Sequence, residues 1–254
     1  MTISSIYKEN YVKKWKDLSI CENLRDELLK SSCYIKADDI EICISSTLFR
    51  NIDLVKLLNV MPFNNITNGS YYIINEYNPA LPIYYNYKKE IYQIKAGYEE
   101  HPVVGISWNG AHFIADLLGG RLPFEKEWEY CATGGNLNYK YPWGNECPTI
   151  EKANYGEFVG VTTPIKSYPP NEWGLYGMAG NAEEWCMDDY YPHSPYLGIT
   201  DINLSLEKTV KGGGWNKGID FLNCKARRGK WSRIGTVGIG FRVVWDYKEK
   251  EWGK

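Results

Sequence analysis

No two cysteines of this 254-residue chain stand as a C-x-x-C pair, which excludes the spacing of a zinc knuckle. Histidine is scarce: His101, His112 and His193 lie far apart in different segments, so their spacing does not argue for an imidazole-held iron centre. No apolar run approaches the roughly 20 residues needed to cross a bilayer. The opening stretch MTISSIYKENYVKKWKDLSI has neither the apolar core nor the cleavage site of a secretory leader. The expected location is therefore cytoplasmic, with no membrane partner. A surplus of one charge is also missing: 29 basic against 31 acidic residues leave a net charge of -2, so no basic surface advertises nucleic acid.

What the chain has in abundance is aromatic rings, 15% of its residues, with 21 Tyr and 10 Trp. That weight of phenol and indole suits a loop-rich fold, because such rings bury large areas while their polar tips satisfy backbone groups. Seven scattered cysteines, an odd number, are expected to be mostly buried thiols in a reducing compartment. The length suffices for one sizeable core, and no linker or fixed-period repeat divides it, so a single domain over residues 1–254 is expected.

Local pattern places several elements. CENLRDELLKSS puts Leu24, Leu28 and Leu29 on one helical face, DDIEICISS alternates as a strand, and STLFRNIDLVKLLNVMP returns to helical spacing before Pro62. NPALPIYYNYKKEIYQIKAGY reads as a hairpin. Val103–Trp108 reads as a short strand, followed by a helix capped by Asn109 and ended at Gly119-Gly120. RLPFEKEWEYCATGG repeats the design, with Pro123 in the first turn. Beyond it the pattern predicts loops only, up to a final strand GIGFRVVWD.

Four stretches occur in a telling order: HPVVGISWNGAHFIADLLGGRLPFEKEWEYCATGG, YPWGNE, PPNEWGLYGMAGNAEEWCMDD, and VKGGGWNKG followed by CKARR and GIGFRVV. Together they resemble the formylglycine-generating enzyme family, the sulfatase-modifying factors, over roughly His101 to Val244. Residues 1–100 match only loosely. The resemblance implies an α+β fold of the C-type lectin-like kind, with a small twisted antiparallel sheet, a few helices and much irregular backbone. Trp108, Trp128, Trp143, Trp185 and Trp215 fall inside these motifs and are core candidates first.

The same resemblance implies copper(I) held between two cysteines, and here the chain departs from it. The matching positions are Lys217 and, nearby, Leu222. An ammonium repels a cation and an aliphatic group has no lone pair, so copper-dependent formylglycine synthesis is not expected. Cys224, followed by Lys225, Arg227 and Arg228, is either a thiol activated by positive charge or a small apolar plug. The family's first calcium site maps onto Gly177, Gly180, Ala182 and Glu184, with Gly177 lacking the oxygen-bearing side chain. That implies a weakened structural calcium site at Gly180, Ala182 and Glu184, unless Glu184 pairs with Arg121 or Arg242. Asn154 and Tyr155 match half of a second calcium site.

Candidates for chemistry are thus Cys224, Glu184 and Asp188, the last within an acidic group with Glu183 and Asp189. Candidates for holding a small-molecule or peptide ligand are Trp215, Lys217, Arg227, Arg228 and Trp231. Three functions fit: a divergent oxidoreductase or maturation enzyme, a non-catalytic binding module like the variable proteins of retroelements, or a structural partner of another protein. Retention of the pocket motifs favours the first.

Overall fold

The computed structural model describes residues 19–37, 39–61, 73–74, 78–191 and 207–247; His193 and Pro62 lie outside them. Helix α1 (Ser19–Lys30) turns Cys21 and Leu24 inward and leads into strands β1 (Ser32–Ala37) and β2 (Ile40–Ser45). Helix α2 (Asn51–Val60) and the hairpin of β3 (Ile83–Asn86) and β4 (Ile91–Ile94) complete the early part. Helices α3 (Trp108–Leu117) and α4 (Glu125–Ala132) follow. The later part contributes β5 (Glu183–Asp189), β6 (Glu207–Lys211), a 3-10 turn at Ile219–Leu222, β7 (Arg228–Trp231), β8 (Ile239–Gly240) and β9 (Val244–Asp246). The architecture is α+β and C-type lectin-like.

Among the described residues the strands form three sheets, ordered β1-β2-β9, β3-β4 and β7-β6-β5-β8. β2 pairs with β9 through Cys43 opposite Trp245, which ties the early chain to its far end. Buried on nearly every residue, β2 loses the alternation of a one-faced strand. The largest core cluster runs from Leu48, Phe49 and Leu54 through Ile106, Ala111 and Ile114 to Trp185, Phe241 and Val243.

Three local expectations are corrected. Val103–Trp108 is not a strand: Val103 N–H donates to Phe49 C=O at 2.8 Å and Gly105 N–H to Thr236 C=O at 2.7 Å, so its backbone is satisfied by separate segments. Helix α3 is capped by Ser107, whose hydroxyl accepts from Gly110 N–H at 3.0 Å, two residues before Asn109. Pro123 lies outside α4, which starts after Phe124, and there Glu127 accepts from Phe124 N–H at 2.7 Å.

The sequence stretch read as loops also holds three strands, β5 to β7, of a four-stranded sheet. β5 escaped notice because its first four residues are all buried and two of them are glutamates, giving neither alternation nor an apolar run. GIGFRVVWD, read as one strand, splits between two sheets, with Arg242 in the break.

Indole rings do fix the long loops. Trp128 and Trp185 are fully buried, and Trp185 Nε1 donates to Ile106 C=O at 3.0 Å. Trp108 reaches Cys186 C=O at 2.7 Å, Trp143 reaches Glu146 C=O at 3.0 Å, and Trp215 reaches Val237 C=O at 3.2 Å. Trp143 and Trp215 thereby fix loops that have no ladder of their own, while Trp108 and Trp185 join α3 and the segment before it to β5.

The cap assignment is testable. Ser107→Ala should cost about 0.5–2 kcal/mol by urea denaturation, because a buried N–H loses its acceptor. Asn109→Ala should stay within about 0.5 kcal/mol. The reverse ranking would return the cap to Asn109.

Candidate functional site

Glu184 on β5 is fully buried and faces Arg242, also fully buried. Arg242 Nε donates to Glu184 Oε2 at 2.6 Å and its Nη2 to Oε1 at 2.7 Å, while Trp128 Nε1 donates to Oε2 at 3.0 Å. The rest of the guanidinium donates to Ser45 C=O at 3.1 Å and Tyr176 C=O at 2.9 Å. Both carboxylate oxygens are therefore occupied, and Glu184 is a structural anion rather than a free base. Arg121, the other partner considered, is held by Glu127 and Asp246 at 2.7 Å each.

The acidic group is dispersed by the strand. Glu183 points to Arg228, while Asp188 Oδ2 accepts the first N–H of α4, from Glu125, at 2.6 Å. Asp189 pairs with Lys208 at 2.7 Å. Each acid has its own partner, so Asp188 acts as a helix cap and no carboxylate pair faces a pocket.

Cys224 is fully buried in a cluster with Trp128, Cys131 and Cys186. Burial pushes its thiol up to about 12, opposed mainly by Lys211. The basic residues that follow it in sequence are not what faces it. At pH 8 the thiol is then almost wholly protonated, and the side chain is a packing group. Burial raises the Cys186 thiol well above its ordinary value, and raises Cys131 likewise. Lys211, itself fully buried, is answered by Glu129 at 2.5 Å and Glu125 at 3.5 Å.

Four of the five residues proposed to hold a ligand divide into two groups. Arg227 turns to Glu125 at 2.8 Å and stacks on Tyr190 at 4.9 Å. Trp231, 57% exposed, follows Gly229 on the opposite face of β7 from Arg228 and Lys230. Arg228 instead grips Glu183 at 2.5–2.9 Å and lies 5.1 Å over the Phe221 ring. Lys217 belongs to this second group. Its pKa lies below the ordinary lysine value through burial, with Arg228 and Lys230 pushing it down and Glu183 and Glu157 opposing. Half-buried Trp215, two residues away, has its indole fixed to Val237 and accepts on its carbonyl from Glu157 N–H at 2.7 Å. Lys230 carried no sequence signal, since its place near Lys217 depends on the unforeseen strand β7.

The triple glycine sets this corner. Gly212 and Gly213 have φ of 88° and 67°. A Cβ on Gly213 would lie 2.9 Å from Phe221 C=O. Only glycine allows both the left-handed turn and that approach. Leu222, near the second copper position, is fully buried with Tyr141, Ala153 and Ala179.

The donor set at the expected calcium site does not suit the ion. Glu184 is consumed by Arg242 and Trp128, and Gly180 C=O accepts from Ala182 N–H at 2.9 Å. Gly177 sits at φ 66°, and a Cβ there would come within 2.9 Å of Leu48. An oxygen-bearing side chain would therefore be strained as well as absent. Calcium needs six to eight oxygens, and Ala182 C=O alone falls far short. Of the second site, Asn154 Oδ1 remains buried without a partner among the described residues, a single ligand. No cluster of three or more metal-binding side chains occurs among the described residues, and no helix there is long and apolar enough to cross a membrane. A separate cleft of about 360 Å³ is lined by Arg50, Glu100, Pro164, Ile165, Lys166 and Ser167, none of them singled out by sequence.

With this geometry in hand, comparison with known proteins gives the family. The sulfatase-modifying factor enzyme 1-like domain matches residues 66–247, and the chain belongs to that family, the match beginning well before His101. The formylglycine-generating enzyme of Streptomyces coelicolor is 37% identical over 172 residues, covering 59% of this chain and 54% of that one. A Chlamydia pneumoniae protein named serine/threonine-protein kinase pkn1 is 42% identical over 164 residues, covering 59% of this chain. This chain spans about a quarter of the Chlamydia protein and about half of the Streptomyces enzyme. In structure it resembles PvdO from Pseudomonas aeruginosa, with a TM-score of 0.58 at 21% identity, covering 85% of this chain and 90% of that one. Treponema denticola variable protein 1 has a TM-score of 0.53 at 18% identity, covering 85% and 92%. These two likenesses establish the fold alone.

Two measurements follow. Glu184→Gln should destabilise the protein by about 3–5 kcal/mol, because it leaves a buried guanidinium unpaired. Combining it with Arg242→Met should cost less than the sum of the single changes, and strict additivity would remove the pair from this role. Iodoacetamide at pH 8 should label exposed Cys147 in the native protein and leave Cys224 unmodified on the same timescale. Rapid labelling of Cys224 would restore it as a nucleophile.

Proposed function

We propose that this chain is a ligand-binding member of its family that takes a small anionic molecule, or the anionic group of a peptide, at Lys217, Arg228 and Lys230. The observation that carries the reading is an imbalance of charge. Glu183 is the buried carboxylate at this corner, and Arg228 occupies both of its oxygens. Lys217 and Lys230 are left without a carboxylate partner among the described residues. An incoming anion would offset the repulsion between these cations and supply charge-assisted hydrogen bonds, worth roughly 1.5–3 kcal/mol each. The Phe221 ring, 5.1 Å from the Arg228 guanidinium, supplies an apolar wall. Arg227 and Trp231 play no part in this reading.

Family membership also keeps open the reading as a divergent oxidoreductase or maturation enzyme, but that rests on kinship alone. Lys217 and Leu222 at the copper positions, and a Cys224 that stays protonated, speak against thiolate-held copper.

Titration calorimetry with inorganic phosphate and with succinate is the direct test. Binding is expected, and Lys217→Met should weaken it about tenfold or more. For succinate, fully ionised at neutral pH, affinity should be level there and fall as pH rises through the lowered pKa of Lys217, before the ordinary 10.5 is reached. No heat of binding, or binding unaffected by the substitution, would contradict the proposal. Stoichiometric copper or iron in protein purified without added metal would favour the oxidoreductase instead.

A further inference from the structure

The cleft lined by Arg50, Glu100, Pro164, Ile165, Lys166 and Ser167 shares no residue with the corner around Lys217. Its volume of about 360 Å³ is at the small end for ligand pockets, which run from about 300 to about 1,000 Å³. Both walls are fixed from behind. Arg50, immediately before α2, donates from Nε to Asp53 Oδ2 at 2.6 Å and from Nη2 to Oδ1 at 3.0 Å, and Asp53 is fully buried. The other wall is held at Thr163, whose N–H donates to the Oδ1 of buried Asn181 at 2.7 Å and whose C=O accepts from Asn181 Nδ2 at 2.9 Å. Ile165 N–H then donates to Glu100 C=O at 2.9 Å, and Ser167 N–H to Pro164 C=O at 3.1 Å.

The guanidinium at this cleft is not fully used. Asp53 takes it side-on through Nε and Nη2, while Glu100 reaches Nη1 alone, at 3.1 and 3.3 Å. The second N–H of Nη2 therefore has no acceptor among the described residues, and 28% of the Arg50 side chain stays exposed. Glu100, 56% exposed and with the longer bonds, is the looser of the two carboxylates. Lys166 stands 5.6 Å over the Tyr176 ring with no carboxylate partner among the described residues, and the Ser167 hydroxyl has no partner there either. With Lys56 lying 3.8 Å from Asp53, three cations stand against two carboxylates, which leaves room for one more negative charge. Pro164 and Ile165 add apolar surface beside these donors.

We propose that the cleft binds a small monocarboxylate with an apolar body, and that the Glu100 carboxylate is an internal stand-in for it. The incoming carboxylate displaces Glu100 and spans Nη1 and Nη2, making two parallel bonds where Glu100 touches one nitrogen. Lys166 and Ser167 supply further donors from the opposite wall, and the apolar body rests on Pro164 and Ile165. Asp53 is a positioning residue: from behind, it keeps the guanidinium oriented whether Glu100 or the ligand faces it. Nothing in this site depends on the anion site at Lys217, so either can stand without the other.

Titration calorimetry at neutral pH with 3-phenylpropanoate, and with 3-phenylpropanamide as its uncharged counterpart, tests the proposal. The acid should bind saturably and the amide should not. Glu100→Gln should strengthen binding of the acid several-fold, because the competing carboxylate is gone, and Lys166→Met should weaken it several-fold. Both positions are exposed, so neither change endangers the fold. Arg50→Lys keeps a cation against Asp53 and removes the fork; it should weaken binding about tenfold, the size of one charge-assisted hydrogen bond. Lys217→Met should leave binding of the acid unchanged, which separates this site from the one above. No binding of the acid, equal binding of the amide, loss of binding in Lys217→Met, or an affinity that Glu100→Gln lowers or leaves alone would overturn the proposal.

Discussion

The buried pair between Glu184 and Arg242 is the interaction on which the rest of the architecture depends. A carboxylate and a guanidinium, both withdrawn from water, each cost several kcal/mol to bury and are tolerable only because every nitrogen and oxygen of the pair is hydrogen-bonded. Those bonds reach β5, the C=O of Ser45 at the end of β2, the C=O of Tyr176 in the central loops, and Trp128 on α4. Four parts of the chain that share no regular ladder are thereby held at one point. A fold with so much irregular backbone needs such anchors, because its loops are tied by single hydrogen bonds between separate segments rather than by a continuous ladder.

The same pair decides what the neighbouring residues are free to do. With Glu184 committed, calcium loses its principal ligand. With Asp188 committed to the start of α4, no second acid remains for proton transfer on that face of β5. The adjacent Glu183, on the other face, is drawn to Arg228, and this choice leaves Lys217 and Lys230 as surplus positive charge. Structural ion pairing on one side of a strand and an unmatched amine on the other are consequences of one alternation of side chains.

Much of this was legible in the sequence, and for identifiable reasons. Helices α1 to α4 and the β3-β4 hairpin have periods or turn residues that declare themselves. Ordered motifs across the later chain identified the α+β lectin-like fold, and the replacement of two copper-holding cysteines by Lys217 and Leu222 is visible by counting. Strands β5 to β7 were not legible. A strand carrying Glu183 and Glu184 into the core makes sense only once Arg228 and Arg242, 45 and 58 residues away, are in place. For the same reason adjacent arginines 227 and 228 looked equivalent in sequence, yet β7 sends them to different partners. Cys224 looked electropositive because its sequence neighbours are basic, whereas burial governs it.

The central claim is that Lys217, at a position where the resemblance implies a copper-holding cysteine, is an amine without a carboxylate partner among the described residues. The most direct measurement is the pKa of Lys217 itself, read by NMR titration of a lysine-labelled protein with and without saturating phosphate. The account predicts a midpoint below the ordinary 10.5 in the free protein, moving upward when phosphate is present. A midpoint at or above 10.5 that ignores phosphate would contradict it.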